Sequence, residues 1–246
     1  MSSDSNSVLS GVDGLDTLLV GGFPSNRTIL VIGGPGSGKS ILGAQFLKDS
    51  SAGKGVYVSL DYSKKSFNQD MKQFGWDFEQ MEKEGSFLFL DGSAIRRIPQ
   101  TQDIEGMLSS TNELTLEDVV DLIKLYKDKI GATKVVIDDL TSLVFRFPDE
   151  MKRRNAILSF IESLNEMNVT SLIISEASMY ELGRQINTEE FLADGVVRMF
   201  MLQDGTRAIQ ISKMRGVPVD NKPHPYSIVS DLGIEVFPTE TVFSQN

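Results

Sequence analysis

The stretch that decides the fold is Gly33-Gly34-Pro35-Gly36-Ser37-Gly38-Lys39-Ser40-Ile41. Its first eight residues fit the spacing G-x-x-x-x-G-K-[ST]. A β-rich apolar run, Thr28–Gly34, leads into it, and a segment whose Ile41, Leu42, Phe46 and Leu47 share one helical side leads out. The chemistry explains the residue types. Glycines let successive backbone N–H groups curl around an anion without Cβ clashes, and the start of the next helix adds its dipole. Lys39 is placed to reach the β- and γ-phosphates of a nucleoside triphosphate, and the Ser40 hydroxyl to face Mg²⁺. Gly34 through Ile41 is therefore the expected nucleotide-binding segment.

Outward from this loop, strand and helix signals alternate. Val56–Leu60, Phe87–Leu90, Lys134–Leu140 and Val169–Ser175 read as buried strands. Helical patterns lie near Ser66–Phe74, over Leu116–Ile130 and near Asp149–Asn168. Thr115 and Asp118 form a capping-box pattern at the start of the second of these, and Gly131 stops it. Continuous apolar strands separated by helices imply an α/β protein, a mostly parallel sheet covered on both faces. The end of the chain differs: Val196–Gln203 and Thr206–Lys213 around Asp204-Gly205 read as a hairpin with a type I′ turn, and Tyr226–Val229 with Ile234–Phe237 as a second. Residues Ala94–Thr115 read as an irregular surface insertion. The whole chain, 1–246, reads as a single domain with disorder expected over 1–8.

The composition narrows the function. There are no cysteines, so disulfides and Cys-based metal sites are excluded, and the single histidine, His224, sits between two prolines and reads as a loop residue. A net charge of −10 opposes autonomous nucleic-acid binding. No apolar run is long enough to cross a bilayer and no signal pattern opens the chain, so a cytoplasmic location without a membrane partner is expected.

Two strand ends carry acid. Lys134-Val135-Val136-Ile137-Asp138-Asp139 closes on two carboxylates. A P-loop protein needs a carboxylate beside the Ser hydroxyl to hold Mg²⁺, and strand tips converge on the phosphate site in open α/β sheets. Asp138 is the expected metal ligand with Ser40, and Asp139 the expected loop cap. The strand Val56–Leu60 ends in Asp61-Tyr62, either a turn or a chemical group. Ser175, at another strand tip, is a candidate sensor of the γ-phosphate or a plain strand-end hydrogen-bonding group.

Three more stretches are Ser10-Gly11-Val12-Asp13-Gly14-Leu15-Asp16-Thr17-Leu18-Leu19, Ala193-Asp194-Gly195-Val196-Val197 and Lys213-Met214-Arg215-Gly216. With the P-loop, they resemble the KaiC-like branch of the RecA/RadA ATPases, over Ser10 to Phe237. The resemblance implies a RecA-like three-layer α/β/α core, ATP with Mg²⁺, and a homo-oligomer, often a hexameric ring, with ATP between subunits. It implies that Lys213 and Arg215 reach a neighbour's nucleotide, where a cation neutralises charge on the γ-phosphate. The alternative is a pair of edge-strand charges that oppose aggregation. It also implies that Asp61 stands where a first glutamate positions the attacking water, with Tyr62 where a second is usual. Asp is shorter by one CH₂, and Tyr62 is no base at neutral pH. The clock protein's phosphoacceptor positions correspond to Glu190 and Phe191, which carry no hydroxyl, so a clock-type autokinase is not expected. Val219 replaces a histidine that often follows K-M-R-G.

Three functions compete on this reading: a slow Mg-ATPase, an ATP-dependent switch or scaffold that docks a protein partner and barely hydrolyses, and a recombinase paralogue near DNA. The acidic charge and the absence of an added DNA-binding segment disfavour the third.

Overall fold

A computed structural model describes residues 7–92, 115–144, 147, 149–176 and 188–242. The insertion expected over Ala94–Thr115 therefore lies, apart from Thr115, outside the described residues. The elements in chain order are β1 (Ser7–Val8), α1 (Asp13–Leu18), β2 (Phe23–Pro24), β3 (Thr28–Gly33), α2 (Lys39–Lys48), β4 (Gly55–Ser59), α3 (Lys64–Met71), α4 (Phe78–Lys83) and β5 (Phe87–Asp91). After these come α5 (Leu116–Ile130), β6 (Lys134–Asp138), α6 (Thr141–Val144), α7 (Glu150–Glu166), β7 (Thr170–Glu176), α8 (Thr188–Leu192), β8 (Gly195–Met201), β9 (Arg207–Met214), β10 (His224–Val229) and β11 (Gly233–Val236).

Nine strands form one sheet in the order β11-β10-β9-β8-β3-β7-β6-β4-β5. From β8 to β5 all neighbours are parallel, and β9, β10 and β11 add antiparallel strands at one side. Side chains alternate between two cores, as the period of a strand requires. Ile29, Val31, Tyr57, Val136, Leu172 and Ile174 point to the layer that holds α1, α2, α3 and α4. Leu30, Ile32, Val56, Val58, Val135, Ile137 and Ile173 point to the layer of α5 and α7. Both faces are covered, which is why these strands read as unbroken apolar runs.

Helix ends follow their sequence signals. Thr115 and Asp118 cap one another at the start of α5, and Gly131 ends it in the left-handed conformation at φ 69°. Asp149 caps α7 by accepting from the Lys152 N–H. The short helix α4, capped by Asp77, was not foreseen; six residues with one buried side chain give too little periodicity to read.

Three expectations need correction. Ser7 and Val8 pair with Pro24 and Phe23 as a short strand, where disorder was expected over 1–8. The turn at Asp204-Gly205 is not type I′. Gly205 takes φ 86° and donates to the Leu202 carbonyl at 3.0 Å, but Asp204 keeps a negative φ and its carboxylate accepts from Thr206 N. The central pair is Gln203-Asp204, with glycine following in the left-handed region, the pattern of a type I turn with a bulge. His224 opens β10 and is buried, its Nδ1 2.6 Å from the Glu240 carbonyl; it is a strand residue rather than a loop residue, and Pro225 follows it in the strand opposite Ala208. Among the described residues no helix is long and apolar enough to cross a membrane.

Candidate functional site

The P-loop joins β3 to α2. Gly38 is the N-cap of α2 at φ 89° and supplies no side-chain cap, and no acidic residue occupies the first turn. The first N–H groups of the helix are thus left to face the loop, an arrangement suited to an anion. A side chain at Gly38 would be strained by that φ and would meet Ile228 at 2.9 Å. Beside it, a Cβ added at Gly34 or Gly36 would meet nothing within 4 Å, so the crown of the loop opens onto free space. Pro35 and Gly36 are exposed there, while Ser37 is buried and donates from Oγ to the Gly34 carbonyl at 2.8 Å. Ile41 packs against the core from the helix and serves the loop by anchoring it.

Lys39 is buried, and its Nζ donates to the carbonyls of Gly33 and Gly34 at 2.8 and 3.1 Å. Burial holds its amine below the usual range, against the pull of Glu176, Asp138 and Asp139. One cation is thus surrounded by carboxylates from two strand tips. Asp138 accepts a hydrogen bond from Tyr57 at 2.6 Å, and the Ser40 hydroxyl lies near enough to favour its charged form. Burial raises its pKa, with Tyr57, Ser40 and the charge of Lys39 opposing, and the charge of nearby Asp61 adding to the rise. Asp139 is pushed up to about 6, chiefly by burial, and accepts from the Thr141 N–H. The bond spans two residues and closes an Asx turn in the loop between β6 and α6. The Asp138–Asp139 peptide is cis.

Asp61 lies just past β4, where the Leu60 N–H bonds to the Asp138 carbonyl at 2.7 Å and ties the two strand tips together. Its carboxylate is exposed and close enough to Asp138 to be felt electrostatically. Tyr62 turns away: its hydroxyl donates to Asp70 of α3, its N–H bonds to Ser59 Oγ at 2.9 Å, and its ring meets Phe67 edge-on. Ser175 Oγ sits 3.3 Å from Thr141 Oγ1, which also accepts from the Glu176 N–H, so the tip of β7 is bound to the start of α6.

Other groups that shape the site were not legible in the sequence. Tyr57 stands inside an apolar strand and looked like core. Tyr226 donates to the Ser37 carbonyl and so fastens β10 to the P-loop. Glu176 is the acid whose charge acts most on Lys39. An acid ending a strand was the available signal for Glu176; for the two tyrosines there was none.

Lys213 and Arg215 lie elsewhere. Strand β9 runs antiparallel to β8, so Lys213 is opposite Val196, level with Leu30 of β3, and Arg215 donates its N–H to the Asp194 carbonyl, level with Thr28. Five residues of β3 separate that level from Gly33, roughly 16 Å at ~3.3 Å per residue. The pair is thus at the far end of the sheet from the chain's own phosphate loop. Lys213 is also engaged: its Nζ donates to the carbonyls of Glu190, Phe191 and Ala193 at 3.1, 3.1 and 2.6 Å, one for each ammonium proton. Arg215 is half exposed and pairs at 3.2 Å with the buried Asp194, which also holds Arg27 and the Thr28 N–H. Of the two cations, Arg215 is the one with an accessible head. Val219, at the position where histidine is usual, packs against the core.

A parallel α/β sheet with the P-loop on one strand, the paired acid two strands away and antiparallel strands beyond β8 defines a RecA-type nucleotide-binding ATPase core. A family model described as "ATPase: KaiC" matches residues 8–241, and the chain belongs to that family. A UPF0273 protein of Pyrococcus furiosus is 32% identical over 241 residues, covering 96% of this chain and 95% of that one. The circadian clock protein KaiC3 of Synechocystis is 29% identical over 240 residues, 95% of this chain but 46% of that protein. The crystal structure of a KaiC-like protein from Pyrococcus horikoshii superposes with a TM-score of 0.77 at 31% identity, covering 94% of this chain and 99% of that one.

Proposed function

We propose that the protein is a slow Mg²⁺-dependent ATPase that works as a homo-oligomer, a hexameric ring being the expected form, with ATP between subunits. The observation that carries this reading is the meeting of Ser40 and Asp138 beside Lys39, with Asp61 within electrostatic reach. The hydroxyl and carboxylate are hard oxygen donors of the kind Mg²⁺ accepts, and they lie near each other, so the residues fit the ion. Mg²⁺ bound there would neutralise charge on the β- and γ-phosphates.

The chain's own groups divide the remaining work. The N–H groups of Gly36–Ser40 cradle the phosphates, and Lys39 exchanges its two carbonyl partners for phosphate oxygens. Asp61 accepts a hydrogen bond from the attacking water and orients it. Arg215, too far from its own loop, serves the nucleotide of a neighbouring subunit. Lys213 supports it by fixing the end of α8.

The test is ATP turnover by the purified protein with and without Mg²⁺, alongside Lys39→Ala. Slow turnover that disappears with EDTA and in Lys39→Ala is the expected result; equal turnover in the variant sinks the assignment. A second reading, an ATP-dependent switch that docks a protein partner and scarcely hydrolyses, is favoured by the short Asp61 and by Tyr62 facing Asp70. Tight ATP binding without turnover would select it.

A further inference from the structure

Tyr57 is fully buried, its ring stacked on Phe89 at 5.6 Å and tilted against Phe67 at 4.6 Å between ring centres. The fully buried rings around it, Phe67, Phe78 and Phe87, with the buried Phe89, are phenylalanines; Tyr62 reaches the cluster only from its half-buried rim. Apolar packing at this place therefore needs no hydroxyl, and a buried hydroxyl without a partner costs about 1–3 kcal/mol. The Tyr57 hydroxyl is spent on the site instead. It donates to Asp138 Oδ2 at 2.6 Å, near the Ser40 hydroxyl. Register makes the reach possible. Tyr57 is opposite Val136 and Ser59 opposite Asp138, so Tyr57 and Asp138 are a diagonal pair on the α2 face. Neighbouring strands lie about 4.8 Å apart and residues two along the strand about 6.6 Å, so the diagonal is within the span of an aromatic side chain.

We propose that Tyr57 is a positioning residue for the metal: its hydroxyl pins one oxygen of Asp138 so that the carboxylate meets Ser40 in the orientation Mg²⁺ requires. The inference rests on the Mg-ATP reading of the site. Carboxylates that hold metals are commonly oriented by such outer partners, and losing one weakens the metal by about 10–100-fold. The direction of donation also matters. The phenol O–H donates and the carboxylate accepts, which leaves the other carboxylate oxygen for a metal.

The experiment follows binding of a fluorescent ATP analogue while Mg²⁺ is titrated, and again in EDTA, for wild type, Tyr57→Phe and Tyr62→Phe. The expected result is a Mg²⁺ midpoint raised about 10–100-fold in Tyr57→Phe, with binding in EDTA unchanged and Tyr62→Phe like wild type. A second arm adds Asp138→Asn, with and without Tyr57→Phe. Once the carboxylate is gone, removing the hydroxyl should move the midpoint no further. An unchanged midpoint in Tyr57→Phe, an equal loss in EDTA, additive losses with Asp138→Asn, or a Tyr57→Phe chain that does not fold each overturns the proposal. Absence of nucleotide binding by wild type would instead overturn the ATP reading beneath it.

Discussion

At the scale of the residue, Asp61 is the group that sets the rate in the proposed ATPase. Its carboxylate stands in the field of Asp138 but one CH₂ short of a glutamate's reach. Misplacing a reacting group by about 1 Å can cost on the order of 10²-fold in rate. Asp61→Asn should lower turnover by about 10²-fold or more, and Asp61→Glu should preserve or raise it, both read by phosphate release at saturating Mg-ATP. Unchanged turnover in Asp61→Asn would reduce the residue to a turn. Lys134 offers a second test, one of stability. It is buried and its Nζ donates to the carbonyls of Phe46 and Asp49 at the end of α2. Burial lowers its pKa from 10.5 to about 8. Between those values the unfolded chain binds the extra proton, so stability should rise with pH there, by up to about 1.4 kcal/mol per pH unit. Below pH 8 this group adds no slope. Urea unfolding of wild type and Lys134→Met at pH 7.5 and pH 10 checks it: only wild type should show the rise, and parallel curves would refute it.

At the scale of the element, the leader before β3 shows what sequence patterns encode without showing why. Its glycines are not linkers. A Cβ on Gly14 would lie 2.0 Å from the Val236 carbonyl, so α1 packs directly against the backbone of β11. Asp16 accepts from the Ser10 N–H at 2.7 Å and holds the entry to the helix. Gln45, inside α2, joins these parts: it donates to the carbonyls of Gly11 and Ile234 and accepts from the Ile234 N–H. Gln45→Ala leaves those groups buried and unpaired and should cost about 3 kcal/mol, measured as a lower urea midpoint with unchanged slope. A loss under about 0.5 kcal/mol would mean water replaces the side chain. The strands, the long helices and the P-loop were readable because periodicity and spacing report local geometry. Gln45, Tyr57 and Tyr226 were not, because each works across elements far apart in sequence, and nothing local distinguishes such a residue from its apolar neighbours. Asp194 was visible only as part of a signature; its use as the buried anchor of Arg27, Thr28 and Arg215 required the sheet order.

At the scale of the whole molecule, the sheet sets its two chemical ends apart. Arg215→Ala should abolish most turnover while leaving nucleotide binding by isolated subunits intact, since Arg215 cannot reach the loop of its own chain. Mixing equal amounts of Arg215→Ala and Asp61→Asn subunits should then restore about one quarter of wild-type turnover, the fraction of random heterologous contacts that pair a sound loop with a sound arginine. No recovery would place the arginine's role within one chain. Light scattering with and without ATP gives the assembly size on which this depends. The distance between Gly33 and Arg215 also gives the subunit a polarity. If Arg215 serves a neighbour's nucleotide as proposed, two unlike surfaces meet, growth is head-to-tail, and an open chain has one acceptor without a donor and one donor without an acceptor. Only closure removes both loose ends. Turnover per subunit should therefore climb with each added member and stop climbing when the circle closes.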